Sequence, residues 1–301
     1  MAGAARAPDN VSSAAAGILI MSPNTRGFVY VATGKGYLPE AFRSAESLRR
    51  HHPEVPICLI TDHPPKDQGP FTKILRPGGV VRHTPMDKVL AYEAPYDHVI
   101  FLDTDTFVLD DLTPVFRMLE RFDLALLQDV NRGWNYELPD VPVSFSEFNT
   151  GVVAFRKSAA MADFFGAWSQ EYDKMREEYG FVTDQPSFRR TLLHSDLRVA
   201  PLPSEFHFLG DMPNSTLWNV RLIHGRGNHE RIARQVNEEL GLRAYVPEIG
   251  TLGKYHGRRK LLRDMTRMLG RMLSLFIRGG ENVAASAPTK WWVGEGRGRR
   301  K

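Results

Sequence analysis

Short apolar runs, separated by stretches of helical periodicity, set the strongest limit on how this chain can fold. The clearest run, residues 99–102 (VIFL), is continuously apolar, which is typical of a strand buried on both faces of a sheet. Runs of this kind that alternate with helical segments indicate βαβ units and a mostly parallel sheet. Further strands are predicted at residues 27–32, 55–61, 72–75, 124–127, 151–155 and 220–223.

Helices are predicted between these strands. Thr113-Pro114 and Asp184-Gln185-Pro186 are typical helix starts, because proline is tolerated in the first turn. Ser158 is expected to cap a long helix whose apolar side chains recur at three- and four-residue spacing and form core. Residues 86–92 are also expected to be helical. The sequence therefore predicts an α/β fold with helices flanking the sheet.

Asp103 and Asp105 follow the strand at residues 99–102 directly. Two carboxylates one residue apart point the same way from an extended chain, because side chains alternate with period two. Open α/β sheets bind ligands at the carboxyl ends of their strands, where such a pair can hold a divalent cation that also holds phosphate oxygens. An acidic turn that simply leaves a strand is the alternative.

Several motifs, taken in chain order, resemble the nucleotide-sugar glycosyltransferases of the GT-A fold. The likeness covers residues 27–230 and is greatest to glycosyltransferase family 8, which includes glycogenin and bacterial lipopolysaccharide galactosyltransferases. The motifs are VYVATGKGYLPEAFRSAESL, MDKVLAY, VIFLDTDTFVLDDL, FNTGVVAFRKS, DQPSF and LIHGRGN. The resemblance implies a GT-A, Rossmann-like sheet and transfer of a sugar from a nucleotide donor.

For the metal site, the resemblance implies that Asp103 and Asp105 bind Mn²⁺ or Mg²⁺ bridging the diphosphate of a UDP-sugar. It also implies that a later histidine, here His224, completes the ligand set. Carboxylates suit either ion, and one imidazole shifts the preference toward manganese. A purely structural histidine after a strand is the alternative for His224.

The same resemblance assigns roles around the donor sugar. Asn149 and Gly151 match a strand motif in which an amide contacts the sugar and a glycine allows close approach. Asp184 and Gln185 match a pair that holds sugar hydroxyls near the reacting carbon, and together with Asn149 they are the expected catalytic residues. Lys88 lies where the family usually has an arginine that contacts the donor phosphate. A solvated lysine at position 88 and an N-cap aspartate at position 184 remain open.

Other residues are expected to contact the nucleotide. Thr33, Thr104 and Arg226 belong to this group, and Tyr37 can stack on the base. The family often has an acid that hydrogen-bonds uracil in the first loop, but Gly34 occupies that position here. The resemblance implies hexose transfer with retention to a glycan, glycolipid or protein acceptor, and a homo-oligomer is compatible with it.

Two other functions are open. A HAD-type phosphatase also places DxDx[TV] after a strand, and residues 209–214 (LGDMPN) resemble its later acidic motif. That motif normally opens its domain, however, whereas strands and helices precede residues 103–105 here. The second alternative is a catalytically degenerate adaptor that is recruited to membranes.

Positive charge is concentrated at the end of the chain. The formal net charge is only +4, yet residues 254–301 contain 13 Lys or Arg against three acidic residues. Residues 258–277 have apolar side chains on one helical face and arginines elsewhere. A basic amphipathic helix of this kind either packs on the domain or lies on an anionic membrane through residues 256–301. Nucleic acid is not expected as a partner, because the rest of the chain is acidic.

We predict a disordered segment at residues 1–26, a transferase domain at 27–253 and a basic tail at 254–301. Residues 131–148, which are rich in aromatics and prolines, are predicted to form a lid or substrate loop. Cys58 is the only cysteine and lies in an apolar run. It is expected in the core, which fits a reducing compartment such as the cytoplasm, with peripheral membrane association through the tail.

Overall fold

The computed structural model describes residues 25–129 and 138–253, apart from 239 and 248, and scattered positions between 262 and 274. The predicted disordered start, most of the basic tail and the first half of the predicted substrate loop lie outside the described residues.

The first part of the chain builds one half of the main sheet. Strand β1 (Arg26–Val31) leads into helix α1 (Leu38–His51), which is followed by β2 (Ile57–Ile60), β3 (Lys73–Leu75) and β4 (His98–Leu102). The order β3-β2-β1-β4 is parallel throughout. The continuous burial of β2 and β4 agrees with their apolar sequences, because strands inside a parallel sheet are covered on both faces.

The chain then leaves the sheet and returns to it. Strand β5 (Thr106–Val108) and helix α2 (Thr113–Met118) precede β6 (Leu124–Gln128), β7 (Phe148–Arg156) and helix α3 (Ala159–Tyr179). Strand β7 lies between β4 and β6 and is antiparallel to both. This direction was not predicted, since an apolar run does not encode the direction of its strand.

The last part completes the main sheet and adds two small ones. Helix α4 (Gln185–Leu193) precedes β8 (Val199–Leu202), which pairs with β6 to complete the seven-stranded order β3-β2-β1-β4-β7-β6-β8. The small sheets have the orders β5-β11-β9 and β10-β12-β13. The remaining elements are β9 (Phe208–Leu209), β10 (Asn214–Thr216), β11 (Leu222–His224), α5 (His229–Asn237), β12 (Arg243–Val246) and β13 (Gly250–Gly253).

Helices cover both faces of the main sheet. Side chains of α1 and α2 pack with one face of the strands, and those of α3, α4 and the 3₁₀ helix Pro85–Glu93 pack with the other. The hydroxyl of Ser158 accepts a hydrogen bond from the Met161 amide at 3.1 Å, and α3 ends at Gly180, whose φ of 71° suits glycine. The predicted α/β fold with a mostly parallel, helix-flanked sheet is confirmed.

The predicted helix at residues 86–92 is present as a 3₁₀ helix over residues 85–93. Strand β7 differs from the prediction, because it begins three residues earlier. None of the helices in the described part of the chain combines the length and the apolar character that a bilayer crossing requires.

Candidate active site

The acidic pair lies at the junction between the main sheet and a small sheet. Strand β4 ends at Leu102, and β5 begins at Thr106 and pairs with β11. Between them, the carbonyl oxygen of Asp103 accepts the Thr106 amide at 3.2 Å and the Thr106 hydroxyl at 2.8 Å, while the Asp103 amide donates to Gly151 O at 2.8 Å. These bonds fix the turn that carries both carboxylates.

Strand pairing brings His224 to this turn. Thr106 of β5 is in register with His224 of β11. As a result, His224 Nε2 lies 3.3 Å from Asp105 Oδ1 and 3.9 Å from Asp103 Oδ2. Ligand-type atoms of Asp103, Asp105 and His224 all lie within 4.8 Å of one another. The three residues expected to bind metal therefore form one cluster.

A second histidine lies behind the first. His207 Nε2 is 2.9 Å from His224 Nδ1, and the His207 side chain is fully buried. Burial, together with the charge of His224, lowers the pKa of His207 well below its usual value, so His207 is neutral and can accept the Nδ1 proton of His224 at Nε2. This bond turns His224 Nε2 toward the carboxylates, as outer partners of metal-binding histidines do.

Gly151 leaves the space that the His224 ring fills. A Cβ atom at position 151 would lie 2.1 Å from His224 Cε1, which is far inside van der Waals contact. Only glycine therefore lets β7 pass so close to the imidazole.

The charged groups of the cluster shift one another's pKa values. Burial, together with the nearby Asp105 charge, raises the pKa of Asp103 in spite of Lys88. Burial acts in the same direction on Asp105, but its hydrogen bond to His224 and the charges of His224 and Arg226 outweigh it and lower its pKa. The pKa of His224 is raised, because both carboxylates outweigh its burial. A site that holds a proton at His224 Nε2 between two carboxylates fits a divalent cation, which would take that proton's place.

Lys88 bridges two carboxylates. Its side chain is buried, and Nζ lies 3.2 Å from Asp184 Oδ2 and 3.5 Å from Asp103 Oδ2. It also lies 3.2 Å from the hydroxyl of Thr150. Burial would lower the pKa of Lys88, but the two carboxylates reverse this and raise it. The alternative of a solvated helix lysine is therefore wrong.

Asp184 is held by contacts outside its own helix. Its Oδ2 accepts a 2.6 Å hydrogen bond from the Thr150 hydroxyl. Although Asp184 precedes the first residue of α4, no capping bond from its side chain to that helix is present among the described residues. Asp184 thus occupies the N-cap position of α4, but its side chain is engaged by Thr150 and Lys88.

Asn149 and Gln185 converge on Asp129, a residue that the sequence analysis missed. Asp129 Oδ2 accepts from Asn149 Nδ2 at 3.2 Å and from Gln185 Nε2 at 3.0 Å. Asn149 Oδ1 accepts the Gly151 amide at 2.9 Å. Asp129 directly follows β6, as Asp103 follows β4, so both acids lie at the same edge of the sheet. That position after an apolar run was the signal that could have identified Asp129.

The residues expected to contact the nucleotide lie along the same edge. The Thr33 hydroxyl donates to Asp87 Oδ2 at 2.7 Å, and the amide of Gly34 donates to Asp62 Oδ1 at 2.8 Å. Gly34 has a φ of 79°, a conformation that side chains disfavour. Tyr37 is half-exposed and extends into solvent.

Arg226 and Thr104 share a partner that the sequence analysis also missed. Arg226 donates to both carboxylate oxygens of Glu40 at 3.0 and 3.2 Å, and the Thr104 hydroxyl donates to the same group at 3.2 Å. Arg226 Nη1 also lies 3.9 Å from Asp105 Oδ2. These residues line a cavity of about 180 Å³ beside the acidic pair.

A larger cleft of about 600 Å³ lies elsewhere, between α3, α4 and the residues that precede β6 and β8. It contains none of the residues predicted to act in the site. Its lining includes Asp123 and Leu197, which precede β6 and β8. The cleft therefore lies at the amino edge of these strands, opposite to the edge that carries Asp103. Size alone therefore does not identify the active site.

Comparison with known proteins gives a family match and similar folds. The family of nucleotide-diphospho-sugar transferases matches residues 93–224, a segment that ends at His224. The fold is similar to that of the galactosyltransferase LgtC, crystallised with donor and acceptor sugar analogs, with a TM-score of 0.50, 17% identity, and coverage of 67% of this chain and 87% of LgtC. No curated protein sequence matches the chain.

Two more distant structures were also found. The glycosyltransferase GlyE of Streptococcus pneumoniae has a TM-score of 0.46 and 18% identity, covering 62% of this chain and 47% of GlyE. Mouse xyloside xylosyltransferase 1 has a TM-score of 0.45 and 13% identity, covering 68% of this chain and 98% of the mouse chain.

The fold is that of the GT-A glycosyltransferases, and residues 93–224 match the nucleotide-diphospho-sugar transferase family within it. The fold of the chain is similar to that of LgtC. The prediction of a GT-A glycosyltransferase is confirmed by the family match and the shared fold.

Proposed function

We propose that this chain is a metal-dependent glycosyltransferase that moves a hexose from a nucleotide-diphosphate sugar, specifically a UDP-sugar, to an acceptor with retention of configuration. The observation that carries the proposal is the convergence of Asp103, Asp105 and His224, whose ligand-type atoms lie within 4.8 Å of one another. The cluster lies at the carboxyl edge of the sheet, where α/β folds bind nucleotides.

Two carboxylates and one imidazole would hold Mn²⁺ or Mg²⁺. Bound there, the ion would neutralise the negative charge that grows on the diphosphate as the bond to the sugar breaks. His224 would hold the ion through Nε2, and its Nδ1 proton would stay on the bond to His207. The pair His207–His224 thus keeps one tautomer in the loaded site.

Two cationic side chains extend the phosphate site on either side of the acidic pair. Lys88 Nζ lies 3.5 Å from Asp103 Oδ2, and Arg226 Nη1 lies 3.9 Å from Asp105 Oδ2. An ammonium supplies charge at one point, whereas a guanidinium can bind two phosphate oxygens at once. We propose that Lys88 stabilises the leaving phosphate and that Arg226 releases Glu40 to bind the diphosphate.

A polar group beside Lys88 would bind the donor sugar. Asn149, Gln185 and Asp129 form one hydrogen-bonded cluster, and Asp184 lies next to it through Thr150. Carboxylate oxygens accept from sugar hydroxyls, while amide groups both donate and accept. We propose that Asp184 and Gln185 lie nearest the reacting carbon.

The nucleoside and the acceptor complete the proposal. Thr33 and the exposed Tyr37 would contact the base and ribose, with Thr104 beside the phosphates. The acceptor, a glycan, glycolipid or protein, would attack from the side of the sugar on which the phosphate leaves. An oxygen of the departing phosphate would take the proton of the acceptor hydroxyl.

Residues 256–301 would add contact with an anionic membrane surface, because they carry the excess of positive charge. Deletion of these residues should release the protein from anionic vesicles, and unchanged sedimentation would exclude this role. Self-association into a homo-oligomer is also proposed and is tested by sedimentation equilibrium.

The phosphatase alternative is disfavoured by chain order and by the surroundings of Asp103. Its strand, β4, is the fourth along the chain, whereas the phosphatase motif opens its domain. Asp103 is also paired with Lys88 and His224 in the geometry of a cation site.

The proposal is tested by measuring the melting temperature with a panel of nucleotide sugars in Mn²⁺, then the turnover of each stabilising donor. A bound donor raises the melting temperature by mass action. Asp103→Asn and Asp105→Asn should abolish the Mn²⁺-dependent shift and turnover, while the exposed control Asp163→Asn should retain both.

Three results would contradict parts of this proposal. Full turnover in EDTA would exclude the metal. Hydrolysis of p-nitrophenyl phosphate without any sugar donor would favour the phosphatase, and tight UDP binding without turnover of any donor would favour the adaptor.

A further inference from the structure

A patch of large apolar side chains is exposed on the small sheet formed by β10, β12 and β13. Leu217 is 43% exposed, Trp218 66%, Leu240 66% and Leu242 58%. Leu217 and Trp218 follow β10, and Leu240 and Leu242 precede β12. The Gly241 amide donates to Leu217 O at 3.1 Å, so the two segments lie side by side and form one surface, the apolar patch.

Buried charged groups fix the backbone beneath the apolar patch. One carboxylate oxygen of Glu205 accepts from the amides of Leu217 and Trp218 at 2.6 and 2.9 Å and from the Thr216 hydroxyl at 2.7 Å. The Arg243 guanidinium donates to the carbonyls of Leu217, Trp218, Val236 and Gly241. Both charged side chains are 5% exposed or less.

In this arrangement two charged side chains are buried, while four apolar side chains remain exposed to water. Buried charges are expensive unless their hydrogen bonds are satisfied, and here the backbone of the patch satisfies them. An ordered, contiguous apolar surface on a folded domain is typical of an interaction site. The apolar patch is therefore a candidate docking surface.

The position where the chain leaves β13, and the charge of the residues that follow, indicate the kind of partner. Thr216, Arg243 and Gly253 stand opposite one another across the three strands, so the chain leaves β13 next to the apolar patch. The segment that begins there, residues 254–301, carries 13 Lys or Arg against three acidic residues. A basic segment beside exposed Leu and Trp side chains matches an anionic bilayer, in which Trp lies at the interface.

We infer that Leu217, Trp218, Leu240 and Leu242 insert into the interface of an anionic lipid bilayer, to which the basic composition of residues 254–301 also attracts the chain. A covering helix from the same chain is the nearest rival. Apolar side chains of that segment, at Leu262, Met265, Leu269, Met272 and Leu273, are themselves exposed, so they do not cover the patch. The inference extends the membrane contact proposed for residues 256–301 and does not depend on the transferase activity.

The test uses the full-length chain and vesicles of phosphatidylglycerol and phosphatidylcholine in equal parts. Leu217→Ser/Trp218→Ser should weaken vesicle partitioning about tenfold or more, because the apolar area that enters the interface is lost. Val143→Ser/Val182→Ser is the matched control: it removes two exposed apolar side chains outside the patch and should bind as the parent does.

Fluorescence gives a second readout that a change in folding does not imitate. Lipids brominated near the headgroup should quench the parent protein, and Trp218→Phe, which keeps the patch apolar, should bind normally but lose part of that quenching. Equal partitioning of the Ser double variant and the parent would overturn the inference. So would a dimer that the double variant converts to monomer while vesicle binding stays unchanged, because the patch would then join two copies of the chain.

Discussion

His207 Nε2 lies 2.9 Å from His224 Nδ1, where a neutral His207 imidazole can accept the Nδ1 proton of His224. His207 is not itself an expected ligand of the cation, yet its contact with His224 determines which nitrogen of that ring faces Asp103 and Asp105. Outer partners of metal-binding histidines typically change metal affinity about 10–100-fold when they are removed.

We therefore expect His207→Phe, which keeps the volume but loses the acceptor, to weaken Mn²⁺ binding about 10–100-fold. Isothermal titration calorimetry with Mn²⁺ alone measures this, and His207→Gln should restore part of the affinity. The exposed control His194→Gln should bind as the parent does. Equal affinity in the parent and His207→Phe would show that the His207–His224 bond has no role in binding.

Gly151→Ala tests the close approach of β7 to the site. Its Cβ would lie 2.1 Å from His224 Cε1, so the imidazole must move away from the carboxylates. We expect Mn²⁺ binding and sugar transfer to be lost, with little change elsewhere in the fold. Gly166→Ala is the matched control: no heavy atom lies within 4 Å of its added Cβ, and alanine in a helix should stabilise α3 by about 1 kcal/mol.

Lys88→Met should be damaging, because it leaves Asp103 and Asp184 without their shared cation. Breaking a buried charge pair costs about 3 kcal/mol or more, and urea unfolding should show a loss of this size. Lys88→Met/Asp184→Asn removes one of the two carboxylates as well and should regain much of the stability without regaining activity. The exposed control Lys174→Met should be neutral. If the double variant is less stable than Lys88→Met, the pairing of Lys88 with Asp184 is not what stabilises this region.

Glu147 should make stability depend on pH. It is buried, and neither of its carboxylate oxygens has a hydrogen-bond partner among the described residues. Burial raises the pKa of Glu147 from 4.5 to about 7, although Arg189 acts against the shift. Between these two values the folded protein binds more protons than the unfolded chain, so the free energy of unfolding falls as pH rises.

Glu147→Gln should remove that slope. We expect the variant to gain stability relative to the parent as pH rises from about 5 to 8, by at most about 3 kcal/mol. Urea unfolding at several pH values measures the difference, with the exposed Glu177→Gln as control. A difference between variant and parent that stays constant with pH would contradict the raised pKa.

The elements that the sequence predicted are those whose signal is local. Residues 99–102 and 124–127 were predicted as strands because buried parallel strands are continuously apolar, and Ser158 was predicted as a cap because its bond spans only three residues. The antiparallel direction of β7 could not be predicted in the same way, since it depends on which neighbours the strand has.

The site residues that were missed are defined by distant partners. His207 reaches His224 only because β9 pairs with β11. Glu40 contacts Arg226 although the two residues are 186 positions apart in the sequence. Nothing in the sequence around His207 or Glu40 marks either contact. The resemblance to known transferases was needed to select His224 and Asp184, whose residue types alone leave other interpretations open.

The expected cation ligands belong to two sheets: Asp103 follows a strand of the large sheet, whereas His224 ends a strand of a small one. An ion bound by these residues would connect parts of the chain that are remote in sequence. Because the ion would bind the folded site and not the unfolded chain, its binding free energy would add to the stability of this region. We therefore expect the bound cation to slow amide hydrogen exchange most in β5 and β11. Exchange rates in these two strands would then report whether the site is filled.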